Sequence, residues 1–177
     1  LIGKDIPMPM NLAVQKPEKI GTDRVVAAAA AYAVVEDAVV VADFGSAVTI
    51  DLVDPTGLFL GGCIMPGFEM SADALHRHTA ALPKISVTQP AEPYGETTQD
   101  AINAGIYFSA VGALHEIVRL YAERLGNWPG TVITGAAAEI LKDNVPFIDS
   151  YVPNLVTKGI ALAYRRYVDE KMSPPAE

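Results

Sequence analysis

Apolar and polar positions change their period along this chain, and the changes mark its elements. Val25–Val35 is a continuous, alanine-rich apolar run closed by the polar pair Glu36–Asp37, and Thr22 or Asp23 stands where a helix cap belongs. A packed helix is predicted there. Ala38–Ala42 is short, apolar and β-branched, which predicts a buried strand. Asp43-Phe44-Gly45-Ser46 then turns tightly into a second strand, Ala47–Val53. Asp54-Pro55-Thr56-Gly57 carries the residues of a type I or II turn, and Leu58–Ile64 returns as a third strand.

Helical spacing follows. Phe68–His76 predicts one helix and Thr97–Leu125 a long one, with Thr97 and Asp100 resembling a capping box at its start. Gly105 and Gly112 would weaken such a helix in isolation, so another backbone is expected to pack close to them. Thr131–Thr134 reads as a strand, Gly135 as a turn, Ala136–Leu141 as a helix, Val145–Val152 as extended chain and Asn154–Glu170 as a final helix. Leu1–Pro17, with three prolines, is a strand-and-loop passage, and residues 173–177 are a tail.

Three antiparallel strands followed by alternating helices and strands define an α/β class. A Rossmann unit alternates from its start, and a sandwich lacks such helices. The order is that of one half of the actin-like, ribonuclease-H-like (ASKHA) phosphotransferase fold. In that fold the turn between the first two strands approaches nucleotide phosphates. No repeat or charge run divides the sequence.

Composition narrows the function. Half of the 177 residues are hydrophobic, enough for a real core. A formal charge of −8 argues against a nucleic-acid partner and against an anionic membrane surface. No uncharged apolar run approaches the roughly 20 residues of a membrane span, and no secretory signal opens the chain. The single cysteine, Cys63, cannot form an internal disulfide, which fits a cytoplasmic protein. It has no basic neighbour to activate it as a nucleophile.

Four segments could carry chemistry. Gly21-Thr22-Asp23-Arg24 reads either as a plain helix start or as a general base beside a carboxylate-gripping guanidinium. Asp43-Phe44-Gly45-Ser46 reads as a hairpin turn or as a phosphate and cation device: glycine admits an anion, the hydroxyl donates and the carboxylate binds a cation. Gly61–Gly67 could end a strand, or admit a ligand or a second subunit closely. Thr131–Gly135 ends a strand in a glycine turn where a base could stack. His76, His78 and His115 have no metal-ligand spacing.

Taken in this order and spacing, these segments resemble the type III pantothenate kinases. Ala72–Leu75, Ala80–Pro83, Gly95–Thr98, Gly105 and Lys158–Tyr164 extend the likeness from about Ile2 to Tyr167. The resemblance implies ATP-dependent phosphorylation of pantothenate, with Mg²⁺ and a monovalent cation, K⁺ or NH₄⁺, and a homodimer. It implies that Gly21, Thr22, Asp23 and Arg24 hold pantothenate, Asp23 as base and Arg24 on the carboxylate, joined by Thr98 from across a dimer interface. Asp43 would bind the monovalent cation, and Gly45, Ser46 and Gly135 would contact ATP. Residues 1–20 would be a connection from a preceding N-terminal domain, and 21–172 the C-terminal actin-like kinase domain.

Some positions depart from the family pattern. Its first phosphate motif, Asp-x-Gly-Asn-Thr, is not in this chain, which opens at Leu1 partway into a strand-and-loop passage. The chain alone is therefore expected to bind better than it catalyses. Ser46 replaces the usual threonine, Val14 a frequent tyrosine and Ala136 a second glycine. These departures keep open an alternative: a non-catalytic binding or regulatory relative, of the accessory-factor kind, with the same fold.

Overall fold

The computed structural model describes residues 1–172, and the predicted tail lies outside them. Five strands form one sheet: β1 Val39–Phe44, β2 Ala47–Val53, β3 Phe59–Pro66, β4 Gly130–Thr134 and β5 Ser150–Tyr151. Their order is β3-β2-β1-β4-β5, with β1–β2 and β2–β3 antiparallel and β4 parallel to both β1 and β5. This is the expected actin-like, ribonuclease-H-like arrangement.

Helices cover both faces, which explains why β1 is apolar at successive positions rather than alternate ones. Val39 and Val41 face the side that packs with Ala27, Ala28 and Leu155, whereas Val40, Ala42 and Phe44 face Ile106, Ala110 and Leu114. The helix α1 (Thr22–Val35) and the last helix, α4 (Leu155–Met172), therefore lie on one face. On the other lie α2 (Phe68–Arg77) and α3 (Thr98–Leu125).

Local expectations are met at several boundaries. Thr97 caps α3, its Oγ1 accepting from Asp100 N at 3.2 Å, while its hydroxyl donates to Asp100 Oδ2 at 2.6 Å. Asp54 Oδ1 organises the β2–β3 turn by accepting from Thr56 N, Thr56 Oγ1 and Leu58 N. By length and composition α3 could cross a membrane, but Ile102, Tyr107, Leu114 and Val118 are buried as in a core helix.

Other expectations are corrected. Neither Thr22 nor Asp23 caps α1: Gly21, in an extended conformation, holds that position without a side-chain bond. Thr22 and Asp23 begin the helix instead, where an acidic side chain meets the positive end of the helix dipole. Residues 136–140 form a tighter 3₁₀ turn, and the extended stretch shrinks to the two residues of β5. Nothing lies within 4 Å of a β-carbon built at Gly105 or Gly112, so no backbone of this chain packs on them. The close contact occurs in α4, where a β-carbon at Gly159 would stand 1.9 Å from the Val26 carbonyl oxygen.

Residues 1–20 hold only isolated bridges, Ile2 with Ile6 and Leu12 with Phe59, plus a single turn at Pro17–Lys19. Met10, Leu12 and Val14 nonetheless pack against the α1-side core, and Arg166 Nη1 donates to the Pro9 carbonyl at 2.5 Å.

Candidate functional site

Parallel strands β1 and β4 end side by side, Asp43 in register with Thr134. Carboxyl ends of neighbouring strands, where chain direction or order switches, are where open α/β sheets bind ligands. Here β1 turns back into antiparallel β2 while β4 leaves through Gly135, and the two departures open a crevice. Gly135 has φ +94°, and a β-carbon there would lie 2.5 Å from Asp43 Oδ1. Glycine thus satisfies both the backbone and the space beside that carboxylate.

Three hollows meet at the Asp43–Ser46 turn. One, of about 280 Å³, is lined by Asp23, Arg24, Asp43, Gly45, Ser46, Thr49 and Asp51. A second of about 280 Å³ lies between Asp43, Gly135, Ala136, Tyr151 and Asn154. The third, about 510 Å³, shares Gly45, Ser46 and Ala136 and adds Phe68, Glu69 and Ser86. The turn is held from below by Gly67, whose N–H donates to the Ser46 carbonyl at 3.0 Å. A β-carbon at Gly67 would come within 2.3 Å of the Gly45 carbonyl.

Helix α1 presents its first turn to the same cavity. Asp23 folds back so that Oδ1 accepts from Arg24 N at 3.0 Å. A β-carbon at Gly21 would lie 2.5 Å from that oxygen, so Gly21 serves the cavity indirectly, by leaving room for Asp23. Burial, with the nearby Asp23 charge, raises the Asp43 carboxyl above its ordinary value.

Arg24 is not free to wrap a ligand with its whole fork. Its Nε donates to both oxygens of Asp51, at 3.0 and 3.1 Å, and its Nη2 donates to Asp51 Oδ1. Both side chains are largely buried, 15% and 2% exposed. Burial pushes Asp51 up, while the guanidinium holds part of that rise back. Burial also opposes the charge of Arg24, but the Asp51 bond and charge outweigh it and raise its pKa. Behind this pair, Tyr121 Oη donates to the Ile50 carbonyl at 3.3 Å and lies 3.6 Å from Cys63 Sγ.

The structure therefore brings together Asp23, Arg24, Asp43, Gly45 and Ser46, with Gly135 against Asp43 and Gly21 under Asp23. Thr22 does not line the cavity; its hydroxyl faces Gly3. Gly45 N–H is already taken up by the Ala47 carbonyl at 3.1 Å, so Gly45 offers space rather than a donor. Thr98 stands elsewhere, in the lining of an apolar groove of about 670 Å³ with Met65, Leu75, Ala101, Gly105 and Ile106.

Among the described residues no three His, Cys, Asp or Glu side chains form a self-contained metal site. Asp43 and the Ser46 hydroxyl are oxygen donors suited to a hard cation that takes its other ligands from water and phosphate. Sequence reasoning missed Thr49 and Asp51, and marked Gly62 for the approach of a ligand or subunit rather than of Asp51. The signal was present: Asp51 is a carboxylate between Ile50 and Leu52 in an apolar strand, and a buried charge requires a partner.

Comparison with known proteins identifies the family and the fold. The family model for type III pantothenate kinase matches residues 1–120. The type III pantothenate kinase of Agathobacter rectalis is 37% identical over 158 residues, which are 89% of this chain and 61% of that protein. That of Brevibacillus brevis is 36% identical over 166 residues, 94% of this chain and 65% of the relative. That of Listeria monocytogenes is 34% identical over 166 residues, 94% and 64%. The chain thus spans less than two thirds of the length of these curated relatives. A crystal structure from Campylobacter jejuni, of a protein assigned to the Baf family of transcriptional activators, shares the fold. Its TM-score is 0.67 at 22% identity, over 90% of this chain and 69% of that one.

Proposed function

The chain belongs to the type III pantothenate kinase family, and from that premise we propose that it supplies the pantothenate, cation and dimer half of an ATP-dependent pantothenate kinase. The reaction is transfer of the γ-phosphoryl group of ATP to the primary hydroxyl of pantothenate. The product is 4′-phosphopantothenate, the first intermediate on the way to coenzyme A. One observation carries the reading: Asp23, Arg24 and the Asp43–Ser46 turn, distant in sequence, line one cavity at the carboxyl end of β1.

Each side chain has work suited to its place. Asp23 accepts the proton of the substrate hydroxyl as its oxygen bonds the γ-phosphorus and the bond to the β-phosphate oxygen breaks, releasing ADP. Arg24 holds the pantothenate carboxylate, with Gly21 giving clearance at the helix start and Thr22 supporting that start. Ser46 donates its hydroxyl to the ATP phosphates; Gly45 and Gly135 let them and the nucleoside approach. Asp43, crowded by Asp23, would hold the monovalent cation, K⁺ or NH₄⁺. Bound there, and with Mg²⁺ on the ATP phosphates, cations supply neutralisation of the developing charge.

Thr98 completes the substrate site from a second copy of the chain. Its groove is apolar, runs along α2 and α3, and leaves Gly105 uncovered, as a face shared by a homodimer would be. The protein acts in the cytoplasm and takes neither nucleic acid nor a membrane as partner.

The test is incubation of the native protein with labelled pantothenate, ATP, Mg²⁺ and K⁺. Accumulation of phosphorylated pantothenate is expected. Ligand binding without product would favour the non-catalytic relative and sink the kinase reading.

A further inference from the structure

The pair Arg24–Asp51 lies at the floor of the cavity and is built with unusual care for two residues 27 positions apart. Asp51 sits on β2 directly opposite Gly62 of β3. A β-carbon at Gly62 would fall 2.4 Å from Asp51 Oδ1 and 2.3 Å from the Ile50 carbonyl oxygen, so a side chain there and the Asp51 carboxylate in its present place exclude each other. On its remaining side the Arg24 guanidinium lies over the Phe59 ring, 6.0 Å from its centroid. Its Nε and Nη2 are engaged by Asp51, leaving Nη1 as the guanidinium nitrogen without a hydrogen bond among the described residues.

We propose that Asp51 is a positioning residue for substrate recognition: it fixes Arg24 so that a preset Nη1 edge meets the carboxylate of the substrate, and Gly62 is glycine to make room for it. This rests on the pantothenate-kinase reading of the cavity and deepens it. An unpaired arginine would have to immobilise its rotatable side chain when the carboxylate arrives. Here that ordering is complete beforehand, which is how a supporting residue sharpens affinity without touching ligand. It also removes Arg24 as a free positive charge. The cavity keeps the negative Asp23 and Asp43, so a carboxylate is admitted only at the arginine edge.

The experiment measures kcat and KM of the native protein and of Asp51→Asn, Gly62→Ala, Arg24→Gln and the Arg24→Gln/Asp51→Asn double variant. The substrates are pantothenate and its neutral primary-amide counterpart. Asp51→Asn and Gly62→Ala are expected to raise KM for pantothenate about ten- to a hundredfold, the range for a weakened hydrogen bond to a charged group, with kcat little changed. KM for the amide should stay nearly constant, so that discrimination between the two substrates falls. The double variant should match Arg24→Gln alone, since Asp51 acts only through Arg24.

Equal losses on both substrates, or a double variant whose losses add, would overturn the proposal. If Asp51→Asn does not fold, Gly62→Ala and the charge-free double variant decide by the same criteria. A wild type that turns over pantothenate while these variants keep their discrimination sinks this inference alone. A wild type without turnover sinks the kinase reading, and the inference with it.

Discussion

Replacing Gly159 by alanine should loosen the contact that seats α1, the helix that carries Asp23 and Arg24. The new β-carbon would stand 1.9 Å from the Val26 carbonyl oxygen, 2.4 Å from its carbonyl carbon and 2.9 Å from Val26 Cβ. Two of these atoms are backbone, so no side-chain rotation relieves the overlap, and α4 must retreat from α1 by roughly 1.5 Å or more to regain ordinary contact. Two effects oppose each other. Alanine is the better helix former by about 1 kcal/mol, while overpacking a tight core costs about 1–3 kcal/mol and sometimes more. Because the obstacle is a main chain, the larger figure governs, and a net loss of about 2 kcal/mol is expected. For a chain of this size the melting midpoint should fall by roughly 4–8 °C. Circular dichroism on heating, with urea unfolding to show an unchanged slope, measures it. A midpoint equal to or above that of the wild type would refute the claim that α4 and α1 meet backbone to backbone.

Further outcomes follow from the same geometry. Asp43 has a raised pKa in the fold, from burial and from Asp23; the stability its protonated form contributes is present at low pH and lost as pH rises through that raised value. Asp43→Asn should therefore melt higher than wild type at pH 7, with the difference shrinking towards about pH 4; a pH-independent difference, or a lower midpoint at pH 7, would contradict the assignment. Gly21→Ala should displace the Asp23 carboxylate and lower kcat by about tenfold or more, a part of what a positioned base contributes; unchanged kcat would mean that Asp23 does not act from its present position. Gly105→Arg, which places a charge in the apolar groove, should convert a dimer to a folded monomer in sedimentation velocity and raise KM for pantothenate. A dimer that survives it would remove α3 from the interface.

How much of this was legible depended on how local each cause is. Strand β2 was bounded correctly, and α3 and the two β-turns nearly so, because their determinants are neighbours: alternating apolar positions, the Thr97–Asp100 cap, the Asp54 side chain in its own turn. The start of α1 was misread at one position because capping preference favours Thr or Asp over glycine, while Gly21 is required by the Asp23 carboxylate folded over it. Val145–Val152 looked extended from its apolar content, yet the Ile148 N–H turns back onto the Val145 carbonyl, and the chain bonds to β4 only from Asp149 to Val152, with Ser150 and Tyr151 in the ladder. The glycines of α3 suggested a close backbone, and Gly159 of α4 was the one that had it.

The cavity was legible in part. Asp23, Arg24, Asp43 and Ser46 are marked by helix-start and turn chemistry. Asp51 was passed over because a strand pattern records that a position is buried, not which distant side chain neutralises it. Likewise Gly62 suggested an approaching ligand or subunit, whereas the group that approaches is Asp51 of the adjacent strand. Thr98 lies in a different hollow from Asp23 in a single chain, so the substrate role proposed for it requires a second copy, which one sequence does not display.

The most direct test of the account is a single-turnover measurement with excess native protein over labelled ATP, at saturating pantothenate, for wild type and Asp23→Asn. The account predicts transfer of label to pantothenate by the wild type and a chemical step slowed by about 10²–10⁴-fold in the variant, with pantothenate affinity largely kept. Equal rates for the two proteins would contradict the role of Asp23, and absence of transfer by the wild type would contradict the kinase itself.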